Sequence, residues 1–262
     1  MDRTYWQKQT TEQPLFPDLI WSRPEHTSQA GKLLIVGGNA HGFAAAAEAY
    51  TQAGRAGIGV ARVLLPDSLQ KTVGKVLEAG EYAPSTPSGS FAKTALAELL
   101  SMSQWADGVL LAGDFGRNSE TAVLLEQFAS KFSGQLTITK DAVDYFIHAP
   151  QIALDRAETT IVLSFAQLQK LASNAHFSQA FTFDIDFLRL VDLLHQFTSN
   201  HLAAIITKHL DTIFVALNGQ VSTTKLVKDT EVWRVATAAH AAVWWLQNPT
   251  KQFAALTTGC VQ

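Results

Sequence analysis

Short apolar runs that end on glycine or proline alternate along this chain with segments whose apolar residues recur at helical spacing. Lys32 to Gly38 (KLLIVGG) is the first such run and has the pattern of a strand buried on both faces. The alanine-rich FAAAAEAYTQAG that follows predicts a helix, with Gly54 as its C-cap. Gly59 to Pro66, Asp107 to Gly113, Gln135 to Thr139 and Glu158 to Ser164 read as further strands. Helices are expected over Phe91 to Met102, over Ser119 to Lys131 with Asn118 or Ser119 as N-cap, and at AQLQKLA (166–172). Residues 80–90 (GEYAPSTPSGS) read as a loop. Within 184–199, Ile185, Leu188, Val191 and Leu194 lie at helical spacing. Three strands follow at Ala203 to Thr207, Asp211 to Leu217 and Gln220 to Thr224, with Asn218-Gly219 as a hairpin turn. A helix over Thr230 to Gln247 and a shorter one after Pro249 close the pattern. Such alternation implies an α/β fold: a mostly parallel, doubly wound sheet flanked by helices, with a β-hairpin near the C-terminal part and ligands at the carboxyl ends of strands.

Residues 1–30 break this rhythm. They are polar and aromatic, carry Pro14, Pro17 and Pro24, and read as an extended N-terminal arm on a single domain formed by residues 31–262. Trp6, Phe16 and Trp21 are the expected anchors of that arm. The 262 residues are 47% hydrophobic and 16% charged, enough apolar material for a large core. The formal net charge of -3 and the scattered Lys and Arg argue against a nucleic-acid partner, whose phosphates call for a clustered basic face. A single cysteine, Cys260, rules out a disulfide within the chain. The N-terminal residues lack the apolar stretch of a signal peptide, and FAAAA and AAVWWL are too short to span a membrane. The expectation is a cytoplasmic protein with neither a membrane nor a nucleic-acid partner.

Three loops at predicted strand ends could carry chemistry. In GGNAHG (37–42) the glycines, Gly38 among them, allow close backbone approach, and the next helix start attracts anions. Asn39 stands where a dinucleotide fingerprint needs glycine, and no Gly-Lys-Ser/Thr completes a phosphate loop. A tight strand-to-helix turn is the plainer alternative. AGDFGRN (112–118) places Asp114 and Arg117 around Gly113 and Gly116, as a ligand loop or as a capped turn. Its DFG string stands without the partner motifs of a protein kinase. In TKDAVDYF (139–146), Asp141 follows a strand and either faces the same cleft or serves as an exposed N-cap. The eight histidines form no metal-ligand spacing, so no metal site is expected, and no G-x-S-x-G elbow supports a hydrolase.

These loops, in this order, resemble the ribokinase-like ADP- or ATP-dependent NAD(P)H-hydrate dehydratases, over about Pro14 to Val261. The family has a proline-containing arm, a strand ending in Gly-Gly, an Ala-rich helix and a Gly-x-Gly before the next strand. This chain has IVGGNAHGFAAAAEAYTQAGRAGIGVARVLLP. The family's G-P-G-L-G-R loop is similar to AGDFGRNSETAVLLEQF, and its D-A-D-A-L motif to TKDAV, where Asp141 keeps the second acid and Thr139 replaces the first. Its L-K-G strand looks like ITKH, with Lys208 retained and His209 in place of glycine. The resemblance implies a ribokinase-like three-layer sandwich, an ADP or ATP cofactor, an NAD(P)H-related ligand, repair of hydrated nicotinamide nucleotides, and a homo-oligomer. It places Gly38, Asn39, Gly113, Gly116, Arg117 and Asp141 at the substrate and Lys208, Thr237 and His240 at the nucleotide. It also leads to the expectation of a further helix beyond Gln262.

The departures point to impaired catalysis. The family's T-P-H-P-G-E stretch falls on VLSFAQ, so that its His becomes Ser164 and its acid Gln167. Its A-T-G-G-S-G-D signature falls on ATAAHAA (236–242). Thr237 survives, and Ala239-His240-Ala241-Ala242 replaces the glycines and the acid. Alanine accepts no proton, and each added methyl obstructs close approach to a phosphate. His240 is left as a donor at an expected helix start, although an ordinary packed helix accounts for TAAHAAVWW equally well. Asp114 and Asp141 are the loop acids that could act instead. The expected function is therefore a divergent NAD(P)H-hydrate dehydratase homologue. The alternatives are a non-catalytic nucleotide-binding pseudoenzyme and a structural partner of an active relative.

Overall fold

A computed structural model describes residues 3–74, 77, 79–226 and 233–261. The apolar runs become strands of one sheet: β1 (Trp6–Gln9), β2 (Lys32–Gly37), β3 (Val60–Pro66), β4 (Gly80–Ala83), β5 (Gly108–Gly113), β6 (Gln135–Thr139), β7 (Thr159–Leu163), β8 (Ala204–His209), β9 (Thr212–Leu217) and β10 (Gln220–Lys225). Their order is β1-β10-β9-β8-β7-β6-β5-β2-β3-β4. From β8 through β4 every pair is parallel, as continuous apolar strands require. The antiparallel β8–β9 and β9–β10 pairs are the hairpins, and β1 pairs parallel with β10. Asn218 (φ 49°) and Gly219 (φ 75°) form the predicted turn.

Alternate residues of each strand enter two separate cores. On one face Leu34, Val109, Leu136, Ile161 and Ile205 pack against the helices Leu96–Trp105, Ser119–Lys131, Phe165–Asn174 and Phe187–Ser199. On the other, Leu33, Leu110, Val162, Ala204 and Val215 meet the helices Ala44–Arg55, Trp233–Gln247 and Gln252–Gly259. This is the expected helix–sheet–helix sandwich. Trp244 and Trp245 are both buried in the second core. Among the described residues no helix is long and apolar enough to cross a membrane.

Local expectations shift where tertiary contacts outweigh pattern. The first helix runs one residue past Gly54, and Ala56 is its C-cap with Gly57 beyond it at φ 80°. Residues 80–90 are not all loop, because Gly80–Ala83 pairs with β3 as an edge strand. The helix placed at Phe91 to Met102 spans Leu96–Trp105, after a 3-10 turn at Lys93–Ala95. In the Phe187–Ser199 helix the buried face is Leu190, Val191, Leu194 and Phe197; Leu188 is exposed and Ile185 precedes the helix. The expected start of the next helix at Thr230 lies outside the described residues.

The arm is more than a cover. Trp6–Gln9 extends the sheet, and Gln9 is buried, donating to Thr224 Oγ1 at 2.8 Å and to the Thr257 carbonyl at 2.7 Å. Phe16 packs edge-on against Phe253. Trp21 is not an anchor: it is 87% exposed, and Leu19 is the buried residue of that short helix. Before β1, Arg3 grips Asp192 with two hydrogen bonds of 2.6 and 3.0 Å, and Tyr5 donates to the same carboxylate at 2.6 Å. The Arg3 bond, more than any other contact, holds the Asp192 carboxyl down at about 2.

A depressed carboxyl stabilises the fold above its unfolded value near 3.8 and loses that contribution as pH falls towards 2. Asp192→Asn is therefore expected to unfold at a lower urea midpoint than the wild type at pH 7. That gap should narrow steadily below pH 4; a gap that is constant from pH 7 to pH 3 contradicts the assignment. A second prediction concerns β2 and β5, which approach so closely that a Cβ on Gly37 would lie 2.5 Å from the Gly113 carbonyl oxygen. Gly37→Ala should cost about 2–3 kcal/mol, lowering the unfolding midpoint by roughly 5 °C in a scanning calorimeter.

Candidate functional site

The parallel strands bring their carboxyl ends to one edge of the sheet, and the loops singled out in the sequence meet there. Gly113 leaves β5 at φ 115° and Asp114 follows at φ 59°, a left-handed conformation rare for a residue with a side chain. The turn directs backbone N–H groups sideways, towards the end of β6. Asp141 meets them: its Oδ1 accepts from the Asp114 N–H at 2.6 Å and its Oδ2 from the Gly116 N–H at 3.2 Å. Although Asp141 occupies the N-cap position of the short Ala142–Phe146 helix, its side chain caps nothing there. Burial pushes the Asp141 carboxyl above the ordinary carboxylate range, against the lowering effect of the Asp114 N–H bond.

Asp114 is equally engaged. Its Oδ1 accepts from Lys140 Nζ at 2.9 Å and its Oδ2 from the Ala45 N–H at 2.7 Å, an orphan donor of the first turn of the Ala44–Arg55 helix. Asn39 ties GGNAHG to this turn: its Nδ2 donates to the Asp114 carbonyl at 2.6 Å and its Oδ1 accepts from the His41 N–H at 2.7 Å. Gly38 (φ 94°) donates to the Gly113 carbonyl at 3.0 Å. Thus Gly38, Asn39, Gly113, Asp114, Gly116 and Asp141 come together. Beside them a cavity of about 470 Å3 is lined by Gly116, Arg117, Asn118, Asp141, Asp144 and Tyr145. The Tyr145 hydroxyl donates to the Gly116 carbonyl, and burial raises its pKa.

Residues that pattern reading did not nominate complete the edge. Gln167, almost wholly buried, donates through Nε2 to the Lys140 carbonyl at 2.7 Å and to Asp144 Oδ1 at 2.9 Å. Its Oε1 accepts from the Ser164 N–H at 3.1 Å and from Arg234 Nη1 at 3.1 Å. Ser164 in turn accepts from the Gln167 N–H, so the two form a capping box at the start of the Phe165–Asn174 helix. The box follows from the S-x-x-Q spacing of SFAQ and was legible in the sequence. The approach of Arg234 was not.

Of the three nucleotide-side candidates, one stands near the end of β8 and two lie along the Trp233–Gln247 helix. Lys208, near the end of β8, holds its Nζ 6.0 Å from the centre of the Trp233 ring. Thr237 is buried in the second turn of the Trp233–Gln247 helix. His240 is not at a helix start. It lies in the helix interior, where its Nε2 is 3.3 Å from Gln52 Oε1. Gln52 lies seven residues beyond Ala45, about 10 Å further along the neighbouring helix than the end that Asp114 caps. Burial, reinforced by Arg23 and Arg55, lowers the His240 pKa to about 4, so its imidazole is neutral at pH 7. Ala238, Ala239, Ala241 and Ala242 are all buried. The packed-helix account of TAAHAAVWW is the one the structure bears out. No group of three or more His, Cys, Asp or Glu side chains among the described residues is placed to hold a metal ion.

No protein-family model matches the sequence, and no curated protein is similar enough to serve as a relative. Solved structures do resemble it. A ribokinase-like superfamily protein from Enterococcus faecalis matches at a TM-score of 0.72 and 13% identity, over 98% of this chain and 86% of that one. A protein from Streptococcus mutans matches at 0.64 and 14% identity, over 92% and 84% of the two chains. The ADP/ATP-dependent NAD(P)H-hydrate dehydratase from Bacillus subtilis, crystallised with ATP and Mg2+, matches at 0.59 and 10% identity, over 93% and 85%. At such identities the likeness establishes architecture, and the chain has the ribokinase-like α/β fold that its loop order led one to expect.

Proposed function

We propose that this chain is a divergent homologue of the NAD(P)H-hydrate dehydratases that binds a nucleotide at the carboxyl edge of its sheet and is impaired in turnover. One observation carries the reading. Both acids that could replace the family's catalytic acid already accept two hydrogen bonds each from the protein: Asp141 from two backbone amides, Asp114 from Lys140 and the Ala45 amide. A general base must aim a lone pair at the proton it removes. In this site each carboxylate oxygen of both acids already holds part of the loop, so taking up a proton would weaken the bonds that build the turn.

Glycine turns, a cavity of the size of small-ligand sites with Arg117 in its lining, and Arg234 close by on Gln167 support recognition. The likeness to a dehydratase crystallised with ATP and Mg2+ favours an adenine nucleotide, ADP or ATP, as ligand, with an NAD(P)H-related compound as the second candidate. On this reading the protein is a cytoplasmic nucleotide-binding pseudoenzyme of metabolite repair, acting as a homo-oligomer. The alternative of a structural partner for an active relative predicts no ligand at all.

Thermal unfolding with and without ADP, ATP, NADH and NADPH separates these readings. Binding to the folded state alone adds about 2.7 kcal/mol at a hundredfold excess over Kd, a rise of roughly 5 °C for a chain of this size. The expected result is such a rise with an adenine nucleotide, and no acceleration of NADH-hydrate dehydration over the uncatalysed rate. Turnover of hydrated NADH overturns the impairment, and no shift at millimolar nucleotide overturns the binding role. Asp141→Asn tests the loop. An amide side chain can accept from one N–H but presents a donor to the other. The variant should lose about 1–3 kcal/mol in chemical denaturation, whereas a variant as stable as the wild type removes the loop-building role.

A further inference from the structure

Arg234 lies in the first described turn of the Trp233–Gln247 helix and reaches Gln167 at the carboxyl edge of the sheet. Among the described residues one of its N–H donors is used, by the neutral Gln167 Oε1 at 3.1 Å. Two carboxylates face it, those of Asp144 and Asp141. Neither forms an ion pair with it among the described residues. Asp144 accepts from the Gln167 amide and Asp141 from the backbone amides of Asp114 and Gly116. Gln167 is the reason for this arrangement. Its amide nitrogen faces the carboxylate and its carbonyl faces the guanidinium, so it keeps the two charges in place without neutralising either. A glutamate at 167 would close a charge-assisted pair on Arg234 and satisfy it internally.

The guanidinium is half-buried, and burial lowers its pKa from the ordinary arginine value. A partly dehydrated cation with donors left over among the described residues is matched by a planar or tetrahedral oxyanion that can take two of them at once. We propose that Arg234, positioned by Gln167, is the residue that receives the phosphate groups of the ligand at this edge. This inference rests on the nucleotide-binding reading for the rest of the ligand, but the anion contact stands by itself.

The test is calorimetric titration of the wild type, Arg234→Gln and Arg234→Lys with ADP, adenosine and inorganic pyrophosphate. The wild type should bind ADP at least about tenfold more tightly than adenosine, the gain expected of charge-assisted hydrogen bonds. Arg234→Gln should abolish that advantage and the pyrophosphate signal while remaining folded at the titration temperature, as its circular dichroism shows. Arg234→Lys, which keeps the charge but not the fork, should recover part of it. Equal affinity of wild type and Arg234→Gln for ADP and for pyrophosphate overturns the proposal. Pyrophosphate binding that needs Arg234, without any binding of ADP or adenosine, sustains the anion site while removing the nucleotide reading. Absence of all three signals removes both.

Discussion

Two backbone amides at the end of β5 set much of what surrounds them. The chain leaves that strand through Gly113 and Asp114, both at positive φ, and the N–H groups of Asp114 and Gly116 fall outside any strand ladder. Part-buried amides of this kind are paired most stably by a fixed acceptor. Asp141 supplies both, and the geometry propagates from there. Lys140 adopts φ 51°, and its ammonium reaches the Asp114 carboxylate, whose second oxygen caps the Ala44–Arg55 helix. A Cβ on Gly113 would lie 2.7 Å from the Lys140 Cβ and 2.9 Å from Asp141 Oδ1, so this loop tolerates only glycine there. The helix that Asp114 caps then packs its alanine face, Ala45, Ala46, Ala49 and Ala53, in the same core as the alanines of Trp233–Gln247.

That chain of dependence shapes what the site can do. Carboxylates that complete a backbone turn are fixed acceptors, and moving a proton onto them would weaken the bonds that hold the turn. This is the physical basis of the proposed binding role, in which the glycine turns recognise a ligand and the two acids build the loop. Gln167 extends the same logic across β6 and β7. One buried neutral side chain joins the Lys140 carbonyl, Asp144, Ser164 and Arg234, so the ends of two strands and the start of the last long helix share a single connector.

The strands were legible wherever both faces are buried, because apolar continuity then leaves few alternatives. β4 and β1 escaped for a shared reason. Each is four residues long and lies at an edge of the sheet, where polar residues such as Glu81, Gln7 and Lys8 face outward and erase the pattern. Leu188 fitted the helical spacing but lies on the solvent side, since the spacing alone does not say which of two overlapping stripes meets the sheet. At the site, the glycine-bearing loops and Asp141 were visible because each follows a strand. The nearness of Arg234 to Gln167 was not, since 67 positions separate them and only the topology brings them together.

ATAAHAA shows where loop order and packing part company. Order along the chain sets it against a glycine-rich signature at a helix start, and on that basis its alanines look like damage to a phosphate site. In the fold these residues sit three to nine positions beyond Trp233, already inside the helix. Small side chains are required there by the close approach of two other elements. A Cβ on Gly259 of the Gln252–Gly259 helix would lie 3.2 Å from the Ala241 Cα, and the alanine-rich Ala44–Arg55 helix shares the same core. Alanine at 238, 239, 241 and 242 is thus explained by packing alone, as larger residues would force the layers apart. On the proposed reading, impaired catalysis therefore follows from the hydrogen bonds that Asp114 and Asp141 already accept, and not from the altered motif. The anion contact proposed for Arg234 lies six residues before His240 in the same helix, one helical turn or more nearer the carboxyl edge.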